Sequence, residues 1–275
     1  MEHQDHSLAE DLERMLASRT KRRQSLRWLL AGAAAVPLAG CGSRASGSTR
    51  IAASAAVTGA RCALIPEETE GPFPADGSND NDDGVANALA LSGIVRSDIR
   101  RSVAPGSASA AGIPTTVRLQ IVNVSASCAD AAGAAVYLWH CDRDGNYSMY
   151  SDGLGNENYL RGVQAADREG MVSFTTIFPG CYPGRMPHIH LEVYPSLAKA
   201  SSAANGIKTS QFTFPMARLN EAYATAAYGD SARNLSGMSY ATDNVFSDGT
   251  ALQMASVSGD PVKGYIVTLT VGVAL

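Results

Sequence analysis

The sequence predicts an all-β protein, an antiparallel β-sandwich with few short helices, and three observations carry that expectation. Apolar and polar residues alternate with period two in several short runs, Gly, Pro and Asp punctuate the chain between them, and only one stretch has helical character. Alternation of this kind gives each strand one face for a core. Two sheets that each carry such a face are stable when packed on each other.

The first forty residues do not share the pattern. "KRRQSLRWLL" places Arg22 and Arg23 before an apolar run over 28–40, which is too short for a stable bilayer span and ends in "LAGC" at Cys41. The combination resembles a twin-arginine export signal joined to a lipoprotein cleavage box, with Cys41 lipidated as the mature N-terminus. It implies an exported, periplasmic or cell-envelope lipoprotein held to a membrane through Cys41. Residues 41–60 are small and polar and read as a flexible tether.

Residues 61–275 carry the sandwich. The acidic "ADGSNDNDDG" at 75–84 reads as a solvated surface loop, because it lacks the ordered ligand spacing of a calcium loop. In "TVRLQIV", Val117, Leu119 and Ile121 alternate with Arg118 and Gln120, and in "MVSFTTIF" Val172, Phe174 and Thr176 alternate with Ser173 and Thr175. "GAAVYLWHCD" is more evenly apolar, as a central strand is. "MARLNEAYATAAY" at 216–228 is the one helical segment. At the C-terminus Tyr265, Val267, Leu269, Val271 and Val273 alternate against Ile266, Thr268 and Thr270.

A formal net charge of −4 gives the chain no electrostatic footprint for nucleic acid. Besides Cys41, four cysteines remain, Cys62, Cys128, Cys141 and Cys181, a number compatible with two disulfides in an exported protein. Spacing does not choose among the three pairings, and the absence of CxxC pairs argues against zinc.

The chemistry concentrates in "GCYPGRMPHIHLEV". Successive strand residues point to opposite faces, so His188 and His190 project together while Ile189, Leu191 and Val193 face the core. Pro183, Gly184 and Pro187 make a turn that can fold Tyr182 and Arg185 over the same face. Tyr147, in the loop after "VYLWHCD", supplies a second phenol. Two phenols and two imidazoles suit a hard trivalent cation, because only a strong local charge ionises a phenol whose ordinary pKa is about 10. Ferric iron is the candidate. His140 and Cys141, with Met149 or Met186, could suggest copper, but neighbouring strand residues face opposite ways, so His140 is read as structural.

The segments "EETEGPFP", "GIVRSDIR", "VYLWHCDRDGNYS" and "YLRGVQAADREGMVSFTTIFPGCYPGRMPHIHLEV" resemble intradiol ring-cleavage dioxygenases of the protocatechuate and catechol type, over residues 66–214. The resemblance implies a β-sandwich holding Fe(3+) through Tyr147 and Tyr182 as tyrosinates and through His188 and His190. Tyr182 would be the ligand that substrate displaces, Arg185 the substrate-side arginine, and Gln211 the glutamine lining an oxygen pocket. The implied reaction has a catechol-type substrate chelate the iron, pass a proton to the departing Tyr182, and react with O2. The ring then opens between its hydroxylated carbons to a cis,cis-muconate-type product. The resemblance leaves room for a homo-oligomer. It does not explain Cys181, which stands where many members carry a bulky aromatic; a disulfide there would stiffen the Tyr182 loop. The rival reading is a non-catalytic, lipid-anchored binding module on the same sandwich.

Overall fold

Residues 62–275 are described by a computed structural model, so the expected leader, Cys41 and the tether at 41–60 lie outside the described residues. A hairpin comes first, β1 (Asp76–Asn81) with β2 (Gly84–Asn87), where the sequence suggested a solvated surface loop. Asp76 is buried under it while most of the remaining acidic side chains stay exposed, so the stretch is a loop in composition and a hairpin in backbone.

Two sheets make the sandwich. The first contains β3 (Pro114–Asn123), the short β4 (Ala129–Asp130), β7 (Met171–Ile177), β10 (Ser256–Asp260) and β11 (Gly264–Val273). The second runs β6-β5-β8-β9, with β5 at Ala135–Trp139, β6 at Arg161–Ala165, β8 at His188–Tyr194 and β9 at Lys208–Thr213. Pairing within each sheet is antiparallel except that β11 lies parallel to β3, from Tyr265 opposite Thr115 to Val273 opposite Asn123. In that pair the last strand returns to the first sheet beside its earliest strand.

The alternating residues meet where the two inner faces oppose. Val117, Leu119 and Ile121 from β3, Val172 and Phe174 from β7, and Val267, Val271 and Val273 from β11 form one cluster with Val136, Leu138, Ile189, Leu191, Val193 and Phe212 of the second sheet. Burying each such side chain contributes about 1.5–3 kcal/mol. The second sheet is also covered on its outer face, where Tyr137, Trp139, Val163 and Tyr194 pack with Ala75, Ala88, Leu89 and Ile94. That double covering explains the evenly apolar β5, whose five residues are all buried.

Two helices lie between β9 and β10. The helix α1 covers Met216–Tyr223, shorter than the predicted 216–228, with Ala226–Tyr228 in a tight 3-10 turn; α2 covers Gly229–Ser236. The second helix is absent from the sequence reading because "GDSARNLS" has a glycine start and a mean polarity that resembles a loop.

Among the described residues one disulfide, Cys62–Cys128, closes a separation of 66 residues, whereas Cys141 and Cys181 are buried free thiols. Two disulfides therefore do not form, and Cys181 does not stiffen its loop in that way. Cross-linking a loop of this length restricts the unfolded chain by roughly 2–4 kcal/mol. Cys128→Ser is expected to lower Tm by on the order of 10 °C in a scan without reductant, and to leave unchanged the Tm measured with reductant present.

Candidate metal centre

The outer face of β8 is where the site begins. His188, His190, Glu192 and Tyr194 lie on that face and are all buried, because residues 66–76 and the 141–150 loop cover it. Trp139, paired in register with His190, stacks on its imidazole at 4.7 Å and 8°. Gly71 approaches the Cε1–Nε2 edge of the ring so closely that a Cβ there would stand 3.3 Å from His190 Cε1, and its φ of +73° is one that only glycine adopts freely. The imidazole is thus held by the Trp139 stack on its face and crowded by Gly71 at its Cε1 edge. Arg161, 1% exposed, braces the same cover. It donates to the carbonyls of Phe73, Pro74 and Ser148, to Ser148 Oγ and to Tyr137 Oη.

Tyr147 arrives from a loop organised by Asp142. The carboxylate accepts from the backbone N–H groups of Asp144 and Asn146, while Asp142 N donates to Asn146 O at 2.8 Å, the short-range closure for which Asp favours turns. Gly180, just before the second phenol, donates to Asp142 O at 3.0 Å. A Cβ on Gly180 would stand 2.5 Å from that oxygen, so only glycine allows the two loops to touch. The touching loops carry Tyr147 and Tyr182, whose rings meet edge to face at 5.9 Å.

The four expected ligands converge on one point. His188 Nε2 lies 3.0 Å from His190 Nε2, 3.2 Å from Tyr182 Oη and 3.4 Å from Tyr147 Oη. Because His188 Nδ1 donates to Met186 O at 2.6 Å, its Nε2 carries the lone pair, aimed at the other three donors. Burial, with the Arg185 charge, holds the His188 imidazolium down to a pKa of about 3, and burial with His188 holds His190 well below the ordinary range. Burial pushes Tyr182 up to about 12 and, with help from Tyr182, raises Tyr147 well above the usual phenol value. Without a cation, all four groups are therefore neutral: two imidazoles ready to ligate and two phenols that need a strong positive charge to ionise.

Arg185 and Gln211 are both buried beside the cluster and touch each other, Arg185 Nη2 donating to Gln211 Oε1 at 2.7 Å. Gln211 sits opposite His190 on β9, and its Nε2 donates to Thr69 O. Sequence reasoning missed Asp243, whose Oδ2 accepts from Arg185 Nε at 3.1 Å and from Met186 N at 2.7 Å. It also missed Ser231 and Asn234 of α2, which hold Cys181 through its N–H and its carbonyl. The "TDN" at 242–244 signals an Asx turn, but nothing local says that the second carboxylate oxygen faces an arginine 58 residues back. His140 is structural as expected, its ring nitrogens engaged by Cys141 O and Thr176 Oγ1, which leaves no lone pair for copper.

Glu70, Asp76 and Glu192 form a separate group whose carboxylate oxygens lie within 4.8 Å of one another. Burial and the nearby Asp76 push Glu192 up to about 9, so Glu192 retains a proton near neutrality and like-charge repulsion is relieved without a metal. The phenol–imidazole cluster is likewise neutral without a cation, but it directs four ligand atoms to one point. Its donors are spaced as ligands of one ion about 2 Å from each are spaced, and their chemistry fits ferric iron.

The chain is similar in sequence and in fold to known dioxygenases. A family model described as Dioxygenase matches residues 97–198, a range that contains Tyr147, Tyr182, Arg185, His188 and His190. An intradiol ring-cleavage dioxygenase from Tetranychus urticae superposes with a TM-score of 0.58 at 25% identity, covering 78% of this chain and 95% of that one. A second dioxygenase crystal structure gives 0.58 at 26% identity with the same coverages. The dioxygenase domain of a carbohydrate-binding fusion from Streptomyces sp. SirexAA-E gives 0.48 at 21% identity, covering 78% of this chain and 99% of that domain.

Proposed function

We propose, because this chain belongs to the family of intradiol ring-cleavage dioxygenases, that Tyr147, Tyr182, His188 and His190 hold one ferric ion and that the enzyme opens a catechol-type ring between its two hydroxylated carbons with O2, giving a cis,cis-muconate-type product. The observation that carries the reading is the convergence of the other three donor atoms within 3.0–3.4 Å of His188 Nε2. Bound ferric iron would supply the Lewis acidity that ionises the phenols and the catechol and makes the ring carbon reactive towards oxygen.

The chain's own residues divide the remaining work. Tyr182 is half-buried and leads into the exposed Pro183 and Gly184, so it is the ligand free to swing out, whereas Tyr147 is 1% exposed and packed against Phe73. Once released, Tyr182 Oη can accept a hydroxyl proton from the incoming catechol. Arg185 sets a buried positive charge beside both phenols, where it favours anionic oxygen on the substrate. Gln211 fixes one edge of that guanidinium while Trp139 and Gly71 keep water from His190.

Export and lipid anchoring at Cys41 belong to the same proposal, supported by the Cys62–Cys128 disulfide, which suits an oxidising compartment. Oxygen uptake by the ferric-loaded enzyme with catechol, protocatechuate and hydroxyquinol tests the activity. One O2 consumed per ring and a muconate-type product are expected from at least one of them. Iron-bound protein without turnover on all three would instead favour the non-catalytic binding module.

A further inference from the structure

The loop that carries Tyr182 is pinned at both ends by the 229–246 segment, and the two pins differ in kind. At its entry, Cys181 N donates to Ser231 Oγ at 2.9 Å and Asn234 Nδ2 donates to Cys181 O at 2.7 Å, neutral contacts from α2. At its exit, Asp243 accepts from Met186 N and from the Arg185 guanidinium. Between the pins Pro183 and Gly184 are exposed, and Gly184 has a φ of +93°.

Asp243 is fully buried, and each of its oxygens accepts two hydrogen bonds. Oδ1 takes the N–H groups of Val245 (2.8 Å) and Phe246 (3.0 Å), which lock the carboxylate to its own backbone. Oδ2 takes Arg185 Nε and Met186 N. Gln211 Oε1 takes Arg185 Nη2, and the guanidinium lies over the Phe246 ring at 5.9 Å. Nε and Nη2 are thereby committed, while Nη1 has no hydrogen-bond partner among the described residues. A guanidinium held at two corners has one orientation left.

We infer that Asp243 is the positioning residue of the active site: it aims the free Nη1 edge of Arg185 at the anionic substrate and anchors Met186, so that Tyr182 can leave while Arg185 stays. The inference rests on the dioxygenase reading for what Arg185 does, but the placement itself can be tested without turnover. Asp243→Asn is the discriminating change. An asparagine has one accepting oxygen where the carboxylate has two, so whichever way the amide lies, two of the four N–H donors face an NH2 group.

The expected result for Asp243→Asn is a crystal structure of metal-free protein in which the Arg185 guanidinium has turned away from Gln211. In the ferric enzyme, with a catechol that the unaltered enzyme turns over, kcat is expected to fall about 10- to 100-fold, with KM within about 3-fold and the iron content and visible band retained. Should the single variant fail to fold, Asp243→Asn combined with Arg185→Gln removes both buried charges, and its kcat is expected to equal that of Arg185→Gln alone. The inference is overturned if Arg185 keeps its place in the metal-free variant, if kcat is unchanged, or if the two substitutions lower kcat multiplicatively. Absence of turnover in the unaltered ferric enzyme would overturn the dioxygenase reading, while the crystal structure would still decide whether Asp243 holds Arg185.

Discussion

Replacing Tyr147 by Phe is expected to leave the fold intact, remove more than half of the visible absorption of the ferric protein, and lower turnover at least about 100-fold. The ring of Tyr147 packs against Phe73 at 4.9 Å and Tyr182 at 5.9 Å, contacts that phenylalanine reproduces. Only Oη is lost, and Oη is the atom within 3.4 Å of His188 Nε2. Since burial holds this phenol protonated in the absence of a cation, its ionisation depends on the metal, and its disappearance removes one tyrosinate-to-iron transition outright. Visible spectra at matched iron content, with circular dichroism as the fold control, measure the effect.

His188→Ala is expected to do more, reducing iron affinity by more than about 100-fold and abolishing activity. His188 Nε2 lies within 3.0–3.4 Å of all three other donors, and its tautomer is set by a 2.6 Å hydrogen bond from Nδ1 to Met186 O, the kind of outer contact whose loss alone weakens metal binding about 10- to 100-fold. Losing the ligand itself exceeds that. Metal analysis after dialysis against a weak chelator, alongside the Tyr147→Phe protein, reads the difference: the phenylalanine variant retains iron that the alanine variant releases.

Much of this centre was legible in the linear chain. Period-two alternation placed His188 and His190 on one face of a strand and Ile189, Leu191 and Val193 on the other, and the structure shows both. The turn residues between Tyr182 and Pro187 indicated that the chain folds back there, and Arg185, Gln211 and both phenols do lie together. What remained hidden depends on distant segments meeting. Asp243 and Ser231 come from a helical insertion whose polar composition resembles a loop, and Gly71 and Trp139 clasp His190 from strands and loops far from it. The parallel β11–β3 pair was equally invisible, because alternation reports which face a residue occupies and not which neighbour its strand finds. The acidic hairpin misled for a related reason: its residues are those of turns, but Asp76 is drawn inward beside Glu192.

The central claim is that one ferric ion sits among Tyr147, Tyr182, His188 and His190. Iron analysis combined with visible absorption of the ferric-reconstituted protein, before and after anaerobic addition of catechol, tests it most directly. One iron per chain, a wine-red tyrosinate-to-iron band and a shift of that band on catechol binding are the expected result. A colourless protein after reconstitution, or iron that survives the loss of His188 and departs with Glu192→Gln, would contradict it.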